Sequence, residues 1–184
     1  MTDGRDRRPA PAHRGRGVAS NPTSRFAELE VELDPAELEE GDLRARTRYL
    51  DDTSRGVITT NTSPDVGFGA SLNPYRGCEH GCAYCYARPT HEYLGLSAGL
   101  DFERVILVKR DAARLVEERL RSRSWRPTVL AMSGVTDPYQ PVERKLGITR
   151  ACLEVLARFR NPVGLITKNA LVTRDIDVDR KSVV

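Results

Sequence analysis

Gly77-Cys78-Glu79-His80-Gly81-Cys82-Ala83-Tyr84-Cys85-Tyr86 holds three of the chain's four cysteines within eight residues and leaves the fourth, Cys152, far downstream. At C-x3-C-x2-C spacing a short chain folds back far enough to present successive sulfurs to one centre, whereas disulfides would need partners that the sequence lacks. A structural zinc site wants four closed ligands, usually as two separated pairs. A cubane iron–sulfur cluster also wants four, so three cysteines leave one iron open to a substrate or cofactor. An open position points to catalysis. The competing reading is a zinc knob in which His80 or His91 supplies the fourth ligand.

Working outward, Ser71-Leu72-Asn73-Pro74-Tyr75 leads straight into the cysteines, and Gly77 and Gly81 supply the backbone freedom that a tight metal loop needs. Upstream, Gly56-Val57-Ile58-Thr59-Thr60 reads as a short strand, and Asn61 to Gly69 as turn-rich. Downstream, Arg88 to Leu96 begins a helix ended near Gly95 or Gly99. Arg104 to Val108 and Pro127 to Met132 are apolar runs, and Asp111 to Arg121 is amphipathic. Glu143 to Phe159 reads as one longer helix, Val163 to Thr167 as a strand, and Ala170 onward as the start of another helix. Alternation on this scale predicts parallel strands with right-handed crossovers, so the fold class is α/β.

The 184 residues are 39% hydrophobic and 30% charged with a mean hydropathy of −0.47, enough for one core and a large solvated fraction. No stretch has the apolar length of a membrane span, and no hydrophobic segment follows the Arg-rich start, so no membrane anchor or secretory signal is expected. Clustered thiols call for a reducing compartment, and the expected location is cytoplasmic. The net charge of +3 is too small to argue for nucleic acid alone; it conceals a basic start followed by an acidic stretch.

Residues 1–25 carry Arg5, Arg7, Arg8, Arg14, Arg16 and Arg25 among Pro, Gly, Ala and Ser, and read as a disordered basic tail. Residues 26–62 form an N-terminal extension, with a short helix near Ala36 to Glu40 opened by Asp34-Pro35. Its carboxylates read as a solvated face. The core follows at 63–184. Polar residues stand directly after the apolar runs: Asn73, Lys109, Ser133 with Thr136 and Asp137, and Thr167 with Lys168. Arg76 is close enough to the cysteines to balance their charge. Cys152 falls in an apolar helical stripe and reads as core. Arg110, Arg114, Arg119, Arg121, Arg123 and Arg126 interleave with Glu117 and Glu118, the pattern of a solvated helix face.

In Ser71-Leu72-Asn73-Pro74-Tyr75-Arg76-Gly77-Cys78-Glu79-His80-Gly81-Cys82, Arg88-Pro89-Thr90-His91, Thr136-Asp137-Pro138-Tyr139-Gln140-Pro141 and Ile166-Thr167-Lys168, the chain resembles the spore photoproduct lyase-like branch of the radical S-adenosylmethionine (SAM) superfamily. It is also similar to bacterial radical SAM proteins that carry a Gly-Arg-Gly segment before Asn21-Pro22. The resemblance implies a partial TIM-like (β/α) barrel, of which about four of six strand–helix units are accounted for, as in a truncated chain. It implies a 4Fe-4S cluster on Cys78, Cys82 and Cys85, with SAM chelating the open iron and cleaved reductively to a 5'-deoxyadenosyl radical. Tyr84 matches the aromatic residue that usually precedes the last cysteine. In such barrels the working residues sit at strand C-termini, which makes Ser133, Asp137 and Lys168, with Tyr84, the expected cofactor contacts. An external electron donor such as flavodoxin or ferredoxin is implied, and a nucleic-acid lesion is a candidate substrate. Ala131 and Met132 stand where lyases of the spore photoproduct carry a hydrogen-donating cysteine, which argues against that one repair reaction. A cluster-binding fragment without catalysis and a zinc-stabilised nucleic-acid-binding module are the alternatives.

Overall fold

The computed structural model describes residues 15–26, 46–62 and 67–178, so the expected helix at 36–40 lies outside the described residues. Strands β1 (Arg48–Asp51), β2 (Ile58–Thr60), β3 (Ala70–Leu72), β4 (Tyr75–Arg76), β5 (Val105–Val108), β6 (Leu130–Met132) and β7 (Val163–Leu165) alternate in the second half with helices α1 (Leu100–Arg104), α2 (Ala112–Arg121), α3 (Glu143–Leu146) and α4 (Ile148–Arg158). They form two small sheets, in the orders β1-β5-β4 and β2-β3-β6-β7.

Not every pairing is parallel, as the alternation led us to expect. β3, β6 and β7 run parallel, as do β1 and β5, but β2 pairs antiparallel with β3 and β4 antiparallel with β5. The reason is local. Asn73-Pro74 breaks the chain between β3 and β4, because proline cannot donate to a ladder and pushes its predecessor out of helical geometry. The chain then crosses to the other sheet, where Pro74 O accepts from Lys109 N at 3.0 Å. No closed barrel forms among the described residues.

Helix α2 buries Ala112, Val116 and Leu120, one residue per turn, against α4. Its outer face carries the Arg114–Glu118 and Arg121–Glu117 pairs at 2.6 Å each. Cys152 is fully buried in the same layer with Leu153 and Leu156. The single helix expected over Glu143 to Phe159 is two. Gly147 adopts φ 64°, ending α3, and the Glu143 carboxylate then accepts from Thr149 N at 3.0 Å and Arg150 N at 3.3 Å, capping the first turn of α4. Arg88–Leu94 winds as a 3-10 helix stopped by Gly95 at φ 71°.

Residues 15–25, assigned above to the tail, pack on the folded part: Asn21 and Asp101 exchange hydrogen bonds at 2.8 and 3.1 Å. Among the described residues no helix is long and apolar enough to cross a membrane.

Candidate functional site

Three consecutive turns shape the cysteine loop. Gly81 N donates to Cys78 O at 3.1 Å, Cys85 N to Cys82 O at 3.2 Å, and Arg88 N to Cys85 O at 3.3 Å, so each turn begins at a cysteine carbonyl. Gly77 and Gly81 hold φ of 80° and 62°, values that side chains rarely tolerate. At Gly77 a Cβ would also come within 2.8 Å of the His91 ring.

Two groups fix this loop from behind. Arg88, 6% exposed, gives all five of its N–H donors to acceptors: Nε to Cys82 O, Nη1 to Ala98 O and Gly99 O, Nη2 to Gly81 O and to Glu103 Oε1. On the other side, Thr136 Oγ1 donates to Gly77 O at 2.6 Å and Gln140 Nε2 to the same oxygen at 3.2 Å, while Glu79 N donates to Gln140 Oε1 at 3.1 Å. The Glu79 carboxylate, buried between two turns, accepts from Val142 N at 2.9 Å and from the Tyr49 hydroxyl at 2.8 Å. Burial, with that carboxylate beside it, pushes the Tyr49 phenol up to about 12.

A cavity of about 270 Å³ opens between the cysteine loop and the ends of β6 and β7. It is lined by Cys78, Cys82, Tyr84 and Cys85 from the loop, with His80, Tyr86 and Ala87; by Ser133, Thr136 and Asp137 after β6; and by Ile166, Thr167 and Lys168 after β7. All seven residues expected at the site, Cys78, Cys82, Tyr84, Cys85, Ser133, Asp137 and Lys168, therefore meet in one place. Cys78 is buried, Cys82 and Cys85 are half-buried, and Tyr84 is 87% exposed at the mouth. Burial pushes the Cys78 thiol up to about 11. Lys168 Nζ lies 2.7 Å from Cys82 Sγ, a contact that raises the ammonium pKa. Among the described residues no three His, Cys, Asp or Glu side chains converge on a single ion. The three thiols instead stand around a cavity, the arrangement that a polynuclear cluster requires of its ligands, with a cation at hand to offset thiolate charge. In that respect the donor set fits.

Asp137 does more than face the cavity. Its carboxylate accepts from Thr167 Oγ1 at 2.6 Å, Lys168 N at 3.1 Å and Tyr139 N at 2.8 Å, and lies 3.4 Å from His80 Nε2. It ties the end of β7 to the loop after β6, so its oxygens are engaged by the protein itself. Desolvation lowers the His80 pKa.

Four candidates stand elsewhere. Lys109 is 2% exposed, with Nζ donating to Ser54 O at 2.6 Å and lying 3.3 Å from Asp52. Arg76 Nε is 3.3 Å from the same Asp52. With Asn73 they line a separate cavity of about 300 Å³, so Arg76 faces away from the thiols it was expected to balance. His91, an alternative zinc ligand, is fully buried with Nε2 2.9 Å from Val105 O. Sequence reasoning missed Arg88 and Glu103 as organisers of the loop. The Arg88-Pro89 start of a helical turn gives no sign that the guanidinium turns inward.

Comparison with known proteins finds uncharacterized proteins of Mycobacterium tuberculosis and Mycobacterium bovis, each 40% identical over 109 residues, 59% of this chain and 32% of theirs. An uncharacterized protein of Methanocaldococcus jannaschii is 29% identical over 111 residues, 60% of this chain and 39% of its own. The chain thus matches about a third of the length of these relatives. No family model matches, and no solved structure does.

Proposed function

We propose that the chain is a radical SAM iron–sulfur protein of the spore photoproduct lyase-like kind, with Cys78, Cys82 and Cys85 holding a 4Fe-4S cluster and SAM at the open iron. The observation that supports this best is the meeting of three thiols, from the loop after β4, with Ser133, Asp137 and Lys168 at the carboxyl ends of the parallel strands β6 and β7, where open α/β sheets take their ligands. In this reading the strands are part of an incomplete TIM-like barrel. When bound, the cluster and SAM would supply electron transfer and a 5'-deoxyadenosyl radical that abstracts hydrogen from a substrate.

The chain's own residues bind, orient and exclude water. Lys168 sets its ammonium against the Cys82 sulfur and offsets thiolate charge. The Ser133 hydroxyl, on the cavity wall after β6, is available to polar groups of SAM. Asp137 holds the two strand ends in register instead of reaching for ligand with a free carboxylate. Tyr84 and Tyr86, 87% and 72% exposed, stand at the mouth, where an aromatic face can cover a bound group. A flavodoxin or ferredoxin would supply electrons in the cytoplasm, and a nucleic-acid lesion is the substrate class we favour.

Anaerobic reconstitution with iron and sulfide tests the metal assignment. We expect one 4Fe-4S cluster per chain by metal and acid-labile sulfide analysis, lost in Cys82→Ala. Zinc at one equivalent with no iron or sulfide after anaerobic purification would overturn it in favour of a zinc module.

A further inference from the structure

The Gly15-Arg16-Gly17 segment lies across the cysteine loop. The backbone N–H groups of Arg16 and Gly17 both donate to the Glu103 carboxylate, the second at 3.2 Å to each oxygen. Glu103 is 1% exposed and already pairs with Arg88, so one buried carboxylate joins the segment to the guanidinium that holds Gly81 O and Cys82 O. The Arg16 side chain reaches further, from Nη1 to Glu103 O at 3.1 Å and from Nη2 to within 3.7 Å of Glu79, the buried acid beside Cys78. The two backbones cross so closely that no side chain fits between them. A Cβ on Gly17 would lie 1.7 Å from Gly81 O and 2.8 Å from Ala83 N, and one on Gly81 would lie 2.7 Å from the Arg16 Cβ. The segment is anchored beyond this crossing by Asn21 on Asp101 and by Ser97 Oγ on Pro22 O.

We propose that Gly15-Arg16-Gly17 is a clasp on the cysteine loop, in which Arg16 and Gly17 are positioning residues that hold Gly81–Cys82 against Arg88 and Glu103 and so set where the sulfurs stand. Gly15-Arg16-Gly17 thereby contributes to the thiol site. Glycine at 17 is required by the crossing itself, and arginine at 16 touches both Glu103 and Glu79. The functional consequence rests on reading the loop as a metal loop; the clasp itself does not.

The metal-free full chain therefore provides the test. Iodoacetamide labelling of Cys78 and Cys152, followed by mass spectrometry, reads two buried thiols, one in the loop and one in the main core. Gly17→Ala should raise the labelling rate at Cys78 about tenfold through local opening while leaving Cys152 unchanged, and Arg16→Ala should act in the same direction by a smaller factor. Unchanged Cys78 labelling in both variants would overturn the clasp, as would a rise at Cys78 only in step with Cys152. Cluster uptake by the parent chain is a separate readout. A parent that takes up no iron yet shows the labelling difference keeps the clasp and discards the metal assignment.

Discussion

Arg88 and Glu103 form a buried ion pair, with Nη2 2.6 Å from Oε1 and both side chains almost wholly withdrawn from water. Because Arg88 also stacks over Phe102 with 5.2 Å to the ring centroid, the pair links α1, the loop backbone and the small apolar cluster of Cys78, Ala87 and Phe102. Breaking a buried pair by removing one partner leaves an uncompensated charge, at a cost of about 3–5 kcal/mol. Arg88→Ala should therefore lower the unfolding free energy by an amount in that range. Arg88→Lys should recover little, since a point charge cannot serve five acceptors spread around a planar fork. Urea denaturation monitored by circular dichroism checks both.

Asp137 should act as a structural bolt between β6 and β7. Asp137→Ala leaves Tyr139 N, Lys168 N and the Thr167 hydroxyl without their acceptor. An orphaned donor costs about 1–3 kcal/mol when buried, and these three are part-buried or exposed, so the variant should lose about 1 kcal/mol and more than Asp137→Asn, which keeps one acceptor oxygen. Thermal melts of the two variants measure the difference.

Lys168 Nζ, 2.7 Å from Cys82 Sγ, should favour alkylation of that sulfur in metal-free protein by anionic iodoacetate over neutral iodoacetamide, because the ammonium attracts the reagent's carboxylate. Lys168 is largely solvated, and exposed pairs are worth about 0.2–1 kcal/mol. Lys168→Met should lower the iodoacetate-to-iodoacetamide rate ratio at Cys82 by up to about fivefold, with less effect at high salt. Mass-spectrometric labelling rates decide.

His91 should weaken the fold early as pH falls. Burial lowers its pKa below the ordinary 6.5, and desolvation lowers that of His80 as well. A group depressed in the folded state contributes stability that is present above its unfolded pKa and lost as pH falls through the folded value. Stability should hold above about pH 7 and decline as pH falls from about 6.5, before most carboxylates titrate. His91→Gln should make that decline shallower in urea melts across the same range.

What the sequence made legible was local. The cysteine spacing and the polar residues Ser133, Thr136, Asp137, Thr167 and Lys168 after apolar runs are readable within a few positions, and those residues line one cavity, whereas Asn73 and Lys109 line another. Gly147 was also readable as a break, but the strong apolar stripe of Leu146, Ala151, Cys152, Val155, Leu156 and Phe159 hid it. The clasp and the Arg88–Glu103 pair were not legible, because they join residues far apart through buried polar contacts that leave no periodicity. β1 escaped notice for a different reason: its four residues are all exposed, and it exists by pairing with β5.

Reductive cleavage of SAM tests the central claim most directly. Chain loaded anaerobically with its cluster and reduced with dithionite or flavodoxin should convert SAM to 5'-deoxyadenosine and methionine, and Cys78→Ala, Cys82→Ala or Cys85→Ala should abolish the product. Full cluster loading with no 5'-deoxyadenosine, and no change in the reduced cluster's EPR spectrum on adding SAM, would contradict it.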